Sequence, residues 1–450
     1  MLNKKLLQAI ETLEETPFPK IVIVEICGFC NLKCIMCPYS RLKRDKGIME
    51  WGTYTKIVDE IAEKSSGTQL WLAIMGEPLL LETGLFNYIA YAKRKGIKEV
   101  ILNTNGTLLR PQIYRELAKT KVDKIIIGLD AFTGETYSRI RAGGNYEKVK
   151  RNVLEILKLD GPEVVLQFIV MNENADELEP FKDFWIPKGA ILKVRKKLAW
   201  GNAIETKDLD ISPTSPERTP CPWLMRTMSI HWSGKVAQCD GDYEGTYSLG
   251  NVNYQTIEEI WQGELKKKRD MHWNHKYDFP PCNVCVDWQA GLSEWYHPCE
   301  IENADISDLP EITSLWKAFI QDDTTQETIE SMLKDQRERR DRVLMCLVEN
   351  EIIGFIAYNI KEGAGHVAGI AVTPGLREKR YGKLLLERME RDLAGHGCST
   401  IILEVREDNR ESVKFYKACG YDIIGKQKGY YKDIDALIFR KIKEDAPSQQ

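Results

Sequence analysis

Cys30, Cys34 and Cys37 stand within eight residues in a CxxxCxxC array, directly after the apolar, strand-like run Ile21–Ile26. Thiolates this close together can wrap one soft metal centre. Three of them leave a further coordination position open, where a substrate or cofactor can bind. Structural zinc takes four ligands, usually as two CxxC-type pairs, and the 3-then-2 spacing does not supply two pairs. Cys27 is a further thiol in the same stretch and reads as a bystander. The spacing therefore favours an iron–sulfur centre over zinc.

The stretch EICGFCNLKCIMCPY resembles the cluster loop of the radical S-adenosylmethionine (SAM) enzymes. The resemblance implies that Cys30, Cys34 and Cys37 hold three irons of a 4Fe-4S cluster. It also implies that the fourth iron is chelated by SAM, which is cleaved to a 5′-deoxyadenosyl radical that abstracts a hydrogen atom. Tyr39, just after the loop, would border the adenine.

Elements must bring other residues to this loop. Apolar runs at Leu70–Met75, Val100–Asn103, Lys124–Leu129 and Val164–Met171 read as strands, and Tyr54–Glu63, Leu85–Lys95, Gln112–Lys119 and Tyr146–Leu159 read as helices between them. Such alternation predicts an α/β fold with a parallel sheet, whose functional residues lie at the strands' carboxyl ends. The family resemblance implies a partial (β/α)6 barrel; the pattern alone is equally that of a doubly wound sheet. Short motifs sit at those strand ends. MGEP, with Gly76, Glu77 and Pro78, is a turn signal by itself; it resembles the family's GGEP element, with Met75 in place of the first glycine, and implies contact with the SAM amino group. NTNG, with Thr104, Asn105 and Gly106, reads as an Asx-type turn and resembles the element lining the SAM ribose. GLDA keeps the family carboxylate in Asp130, with Gly128 where serine is common. Arg141 resembles an arginine near the SAM carboxylate; an exposed arginine is the other reading. Gln167 points into the barrel mouth if alternation holds.

A second cysteine set follows. The polar stretch 201–220 carries three prolines and reads as a linker. Met228–Gln238 reads as a hairpin about Ser233–Gly234, bringing Cys221 towards Cys239, and Cys282 and Cys285 form a CxxC pair. Four thiolates from distant segments close a complete site, and by spacing alone zinc is the better reading. Residues 221–285 resemble the SPASM extension or its shorter twitch form, through Cys-x12-Gly-x4-Cys, Leu249–Val252, Thr256–Trp261 and the CxxC. The continuation found in a full SPASM domain is missing after Cys285. The resemblance thus implies one auxiliary 4Fe-4S cluster on Cys221, Cys239, Cys282 and Cys285. Cys299 is a weaker fifth candidate, and Cys27 or Cys299 could return a hydrogen atom in an epimerase.

Of twelve cysteines only three lie beyond residue 300, and there the pattern changes. Asp305–Leu309 and Leu315–Ile320 open helically and Thr325–Arg342 is a charged helical run. Val343–Glu349 and Ile352–Ile360 form a hairpin across Asn350. His366–Glu390 then reads as strand, turn and helix, with Arg377, Arg380, Gly382 and Lys383 crowding the helix start. Backbone N–H groups there, reinforced by arginine, suit a pyrophosphate; an ordinary strand–helix junction is the plainer reading. The segment resembles the GNAT acetyltransferases, whose acetyl-CoA loop is matched by Arg377 and Gly382, with Arg380 replacing the first glycine. IILEVREDNRESVKFYKACGYDIIG and GYYKDIDAL resemble the protein N-terminal branch of that family. That implies acetyl-CoA contacts from Ile370, Val372, Lys383 and Asn409, Tyr416 as acid to the CoA thiolate, and Glu404 as the amine's base. Core packing is the other reading of Tyr416.

Composition bounds the rest. Hydrophobic content of 43%, charged content of 29% and a net charge of −4 suit a globular protein without a basic field for nucleic acid or membrane. MLNKKLLQAIETLEE reads as a short amphipathic helix rather than a signal peptide, and no stretch approaches a membrane span. A cytoplasmic protein is expected, where cysteines serve metal or redox chemistry. The expected domains are 1–200, 201–300 and 301–443, with a disordered tail at 444–450. The reading is a bifunctional enzyme. Its radical half, fed by flavodoxin or ferredoxin, oxidises or epimerises a hydroxylated or amino small molecule such as an aminosugar or aminocyclitol, and its acetyltransferase acts on an amine. Its rivals are a peptide- or protein-modifying enzyme, disfavoured by the short segment before the first strand, and a non-catalytic acyl-CoA sensor in the rear domain.

Overall fold

The protein is described by a computed structural model covering residues 13–205, 214–215, 218–288, 293–320, 324–335, 341–431 and 434–442. The expected N-terminal helix lies largely, and the C-terminal tail wholly, outside the described residues; most of the expected linker's middle does too. The chain divides into two compact units, Met1–His297 and Pro298–Gln450.

The first unit is built on six parallel strands: β1 (Ile21–Val24), β2 (Gln69–Leu72), β3 (Val100–Thr104), β4 (Lys124–Gly128), β5 (Glu163–Val170) and β6 (Ile191–Lys196). They lie side by side in chain order. A doubly wound sheet reverses its order at a switch point; this one winds in a single direction, as a partial barrel does. Helices between the strands include α1 (Trp51–Lys64), α2 (Thr83–Arg94), α3 (Pro111–Lys119), α4 (Gly134–Ile140), α5 (Tyr146–Ile156) and α6 (Leu178–Trp185). Their apolar stripes recur at helical spacing: Tyr54, Ile57, Val58 and Ile61 are buried on α1, and Leu85, Tyr88, Ile89 and Ala92 on α2.

The region after the barrel continues the same sheet. A short helix α7 (Pro222–Arg226) leads into β7 (Thr227–Ile230), which runs parallel to β1, and β8 (Lys235–Ala237) and β9 (Gly250–Asn251) follow antiparallel. Gly234, at φ +81°, turns the β7–β8 hairpin. Helices α8 (Ile257–Gln262) and α9 (Glu264–Trp273) precede β10 (Ser293–Tyr296), which caps the far edge antiparallel to β6. Paired register puts Trp71, Ile101, Ile126, Val165 and Ile191 on one face, and these residues pack together with Trp295 as the apolar floor of the barrel.

Strand β2 ends at Leu72 instead of continuing to Met75, because Ile74 takes a left-handed backbone at φ +98° and turns the chain.

In the second unit, β11 (Glu300–Asn303) precedes α10 (Leu309–Phe319) and α11 (Gln326–Asp335). The two expected helical openings between 305 and 320 join as one 3-10 turn and α10. The charged helical run does not reach Arg342: β12 (Asp341–Val348) already pairs there with β13 (Glu351–Lys361) through Asp341–Asn359 and Arg342–Tyr358. The two-residue turn between them, Glu349–Asn350, has positive φ at both positions, as a tight hairpin requires. Next come β14 (Ala364–Val372), α12 (Tyr381–Gly395), β15 (Thr400–Arg406), α13 (Arg410–Ala418), β16 (Asp422–Tyr431) and β17 (Ile434–Ile442). The sheet order is β11-β12-β13-β14-β15-β17-β16. Only β14 and β15 are parallel, and they pair over just Gly365–Val367 and Ile401–Leu403. Beyond these residues the two strands part, while β14 stays paired with β13 on its other side as far as Val372.

Candidate functional site

The carboxyl ends of β1 to β5 gather the first cysteine loop and three polar loops. Gly76 lies against the cysteine segment so closely that a Cβ would stand 1.7 Å from the Cys27 carbonyl oxygen. The Glu77 amide donates to the Phe29 carbonyl at 2.7 Å. Pro78 opens the 3-10 turn that follows. The Glu77 carboxylate is fully buried and accepts from Leu79 N–H (3.1 Å), Thr104 Oγ1 (2.6 Å) and Asn105 N–H (2.6 Å). It thus straps the MGEP turn to the TNG loop. Desolvation raises its pKa despite these donors. Gly106 turns the loop at φ +73°, where a Cβ would also meet Ile127 Cγ2 at 2.7 Å.

Donors face the sulfurs. Asn105 Nδ2 lies 3.9 Å from Cys30 Sγ and Arg141 Nη1 lies 3.9 Å from Cys34 Sγ. Tyr39 Oη accepts the Cys30 amide at 2.8 Å. Arg141 is buried, not exposed, and donates to Asp130 Oδ2 from Nε (2.8 Å) and Nη2 (2.5 Å). The other Asp130 oxygen accepts the Ile169 amide at 2.7 Å. Gly128 explains its own departure from serine: a Cβ there would stand 2.0 Å from Arg141 Nη2. Burial raises the thiol pKa values of Cys30 and Cys34 and pushes that of Cys37 up to about 12. Such thiols ionise only when a positive centre holds them, so the donor set suits a bound metal cluster. Cys27 instead donates to the Phe29 carbonyl at 3.6 Å.

Cys221, Cys239, Cys282 and Cys285 line one cavity together with Arg218, Gln238 and His272. Burial raises all four thiols, and for Cys239 the other three add to the rise. Among the described residues no three Cys, His, Asp or Glu side chains are placed to hold one metal ion. The four thiols surround this cavity, a donor set that suits an iron–sulfur cluster. Asp287 ties this end together: its amide donates to Cys285 Sγ at 3.3 Å, and its carboxylate accepts from Ala199 N–H (2.5 Å) and Trp200 N–H (2.9 Å). Trp200 Nε1 reaches the Met36 carbonyl at 3.0 Å, so a short chain of hydrogen bonds joins the two cysteine loops. Cys299 lies in the second unit, hydrogen-bonded to Cys346, and not in this cavity.

In the second unit, Ile370 and Val372 lie on the part of β14 that has left β15. Among the described residues the backbone groups on that side have no strand partner, and they can take an extended ligand as a strand takes its neighbour. Arg377 Nε donates to the Val372 carbonyl at 3.1 Å. Arg380 adopts φ +76° at the start of α12, the conformation a glycine takes freely. Gly382 leaves room beside Phe415, which a Cβ would approach to 3.3 Å. Lys383 faces Glu387 at 3.7 Å. Asn409 uses its Oδ1 to cap α13 through Ser412 N–H (3.0 Å). Tyr416 is buried in one core with Leu403, Val405 and Phe439, and burial raises its pKa. Glu404 alternates to the other face of β15, so the structure does not bring it to the face of Tyr416.

Sequence reasoning missed Asn31, Trp200, His272 and Asp287. Asn31 does sit inside the cysteine motif and accepts from Asn105 Nδ2 at 2.8 Å. The others act through contacts distant in sequence, and no local pattern marks them.

Comparison with known proteins agrees with this geometry. Residues 24–184 match the radical SAM superfamily, 221–286 the iron–sulfur cluster-binding SPASM domain, and 308–421 the GNAT acetyltransferase family. A probable GTP 3′,8-cyclase of Methanococcus maripaludis is 29% identical over 189 residues, which is 42% of this chain and 62% of that relative, so the match spans less than two thirds of its length. A Pyrococcus furiosus protein described as a tungsten-containing aldehyde ferredoxin oxidoreductase cofactor-modifying protein is 23% identical over 316 residues, 59% of this chain and 87% of its own. Among solved structures, BtrN in complex with AdoMet and 2-DOIA aligns over 63% of this chain and 98% of its own, with 18% identity and a TM-score of 0.46. The ribosomal-protein-S18-alanine N-acetyltransferase of Escherichia coli aligns over 34% and 99%, with 20% identity and a TM-score of 0.30.

The fold and the matched regions define the class: a chain with a radical SAM domain followed by an iron–sulfur cluster-binding SPASM domain. The chain carries, in addition, a C-terminal GNAT acetyltransferase domain. The cofactors these domains imply are a 4Fe-4S cluster with SAM, an auxiliary iron–sulfur cluster and acetyl-CoA, and radical SAM enzymes need a reductant. Among the described residues no helix is long and apolar enough to cross a membrane.

Proposed function

We propose that the first unit dehydrogenates or epimerises a hydroxylated or amino small molecule and that the second acetylates an amine, both serving one biosynthetic route. The observation that supports this most is the cavity lined by four cysteines from three segments. Cys221, Cys239, Cys282 and Cys285 would hold an auxiliary cluster with four protein ligands, which would suit one-electron transfer. When bound, the cofactors supply a 5′-deoxyadenosyl radical at the three-cysteine site, an electron relay at the four-cysteine site and an acetyl thioester in the second unit.

The chain's own residues do the rest. Cys30, Cys34 and Cys37 would hold the first cluster, with Asn105 and Arg141 facing the sulfurs of Cys30 and Cys34 as donors. Gly76 admits the turn that carries Glu77 against the cysteine loop, and Gln167 lines the inner face. Aminosugars and aminocyclitols offer both a carbinol C–H for the first reaction and an amine for the second. A carbinol that loses a hydrogen atom, one electron and its hydroxyl proton becomes a carbonyl, with reduced flavodoxin or ferredoxin supplying the priming electron. In the second unit the raised pKa of Tyr416 keeps its phenol protonated, as an acid to the departing CoA thiolate requires.

The test uses anaerobically reconstituted, reduced full-length protein with SAM. Release of 5′-deoxyadenosine is followed while cell extract is added as separate metabolite and peptide fractions. Stimulation by the metabolite fraction supports the proposal, and acetyl-CoA then reveals the acetylated product. Stimulation by the peptide fraction alone overturns it in favour of a peptide-modifying enzyme.

A further inference from the structure

Above the apolar floor of the barrel lies a polar layer of side chains on the inner face of β3, β5 and β6. Gln167 pairs with Lys193 and Ile169 with Arg195 across β5 and β6, which places Gln167, Lys193 and Arg195 on the face that carries Val165 and Ile191. Asn103 joins them from β3, opposite Ile126. Ser229 is in register with Ile23, and through it with Trp71, and holds the Asp240 carboxylate by a short hydrogen bond.

These groups are underused by the protein itself. Lys193 is 6% exposed, and its ammonium sits 4.6 Å from the ring of Trp71 and 5.6 Å from that of Trp295. Among the described residues it has no hydrogen bond and no ion pair. Burial, with the Arg195 charge next, lowers its pKa to about 7. Arg195 gives Nε to Gln167 Oε1 (3.3 Å) and Nη1 to the Lys196 carbonyl (3.1 Å), and its Nη2 has no hydrogen-bond partner among the described residues. The Asn103 Oδ1 is buried without a partner. Two cations without a carboxylate in hydrogen-bonding contact among the described residues, on the inner face of a barrel, carry a desolvation cost that the more distant Asp130, Asp240 and Asp287 offset only in part.

The position gives these orphans a meaning. The charges acting on Arg195 come from both ends of the unit: Asp130 and Arg141 beside the first cysteine loop, and Asp287 and Asp240 beside the second set. A molecule resting on this layer therefore lies between the two cysteine sites.

We infer that this layer is the substrate seat of the radical unit and that Lys193 and Arg195 take an oxyanion, a carboxylate or a phosphate, carried by the substrate. Trp71 and Trp295, in the floor below, face the Lys193 ammonium with their rings, and Asn103 Oδ1 accepts from a substrate hydroxyl or amine. The inference rests on the function proposed above and narrows its substrate to acidic small molecules. It assigns the oxyanion to the substrate and not to SAM.

The test reads binding and not turnover, so it stands apart from the deoxyadenosine assay. Reconstituted full-length protein with SAM and no reductant is dialysed to equilibrium against a low-mass bacterial metabolite extract. The metabolites enriched with the protein are identified by mass spectrometry, which also tells phosphate from carboxylate. The expected result is an enriched acidic metabolite, lost at least tenfold in K193M and in R195Q and kept in K193R, with cluster absorbance unchanged as the check on folding. Enrichment only of molecules without an acidic group, or enrichment unchanged in both K193M and R195Q, overturns the inference. So does loss of SAM itself as the sole change in the two variants.

Discussion

His272 Nε2 lies 3.3 Å from Cys282 Sγ, while Nδ1 of the same ring accepts the Cys221 amide at 3.2 Å. The amide bond fixes the tautomer, so the proton is on Nε2 and points at the sulfur. Donation to a cluster sulfur stabilises the reduced, more negative state. H272F keeps the ring packing against Tyr277 and Phe279 but removes the donor. The auxiliary cluster's reduction potential should fall, as read by potentiometric titration followed by EPR; an unchanged potential would refute the role.

Glycine is demanded at two positions by contact. In G76A the new methyl would meet the Cys27 carbonyl oxygen at 1.7 Å, and in G128S the side chain would meet Arg141 Nη2 at 2.0 Å. Each should cost about 1–3 kcal/mol by overpacking, measured by urea unfolding. G128S restores a residue common in the family and should still weaken SAM binding, because it displaces the guanidinium from Asp130.

His231 is buried with Nε2 unpartnered, and desolvation, with Arg44 and Lys235 nearby, lowers its pKa to about 3. The unfolded chain, with an ordinary histidine pKa near 6.5, binds the proton that the folded chain refuses. Stability from this group is therefore complete above about pH 6.5 and declines by about 1.4 kcal/mol per pH unit as pH falls towards 3. H231F should flatten that slope, so the gap in urea midpoint between pH 5 and pH 7 narrows against the parent.

Arg380 holds a left-handed backbone at the start of α12. R380G should release about 1 kcal/mol of strain and raise the unfolding temperature of the second unit. If the guanidinium also meets the CoA phosphates, the same variant raises the KM for acetyl-CoA. A rise in stability with no change in KM would leave Arg380 outside the binding site.

Y416F preserves the buried ring against Tyr421 and Phe439 and deletes the acid. Acetyl transfer should drop about 10²- to 10⁴-fold in kcat with little change in KM for acetyl-CoA. E404Q, on the other face of β15, should cost less. Unaltered transfer in Y416F, or none in the parent protein, would instead point to a sensor domain.

The cysteine spacings, the strand–helix alternation and the short loops at strand ends are local, and the sequence alone determined them. Cys30, Cys34 and Cys37 need only eight residues of chain to meet, and helical stripes such as Tyr54, Ile57, Val58 and Ile61 show their period directly. Tertiary structure decided everything that depends on which distant segments touch. Winding in one direction, and not two, depends on how crossover helices pack, which periodicity does not encode. Glu77, which the sequence marks as a SAM contact, also straps two loops together because Thr104 and Asn105 fold onto it. Arg141 is buried because Gly128, thirteen residues earlier, leaves it space. Tyr416 and Glu404 share a motif-rich stretch yet face opposite sides of a sheet, since one sits on a helix and the other alternates along a strand. Lys193 and Arg195 look like ordinary charges near the end of an apolar run. Only closure of the barrel turns them inward, where Lys193 is buried, Arg195 is half-buried and, among the described residues, no carboxylate hydrogen-bonds to either.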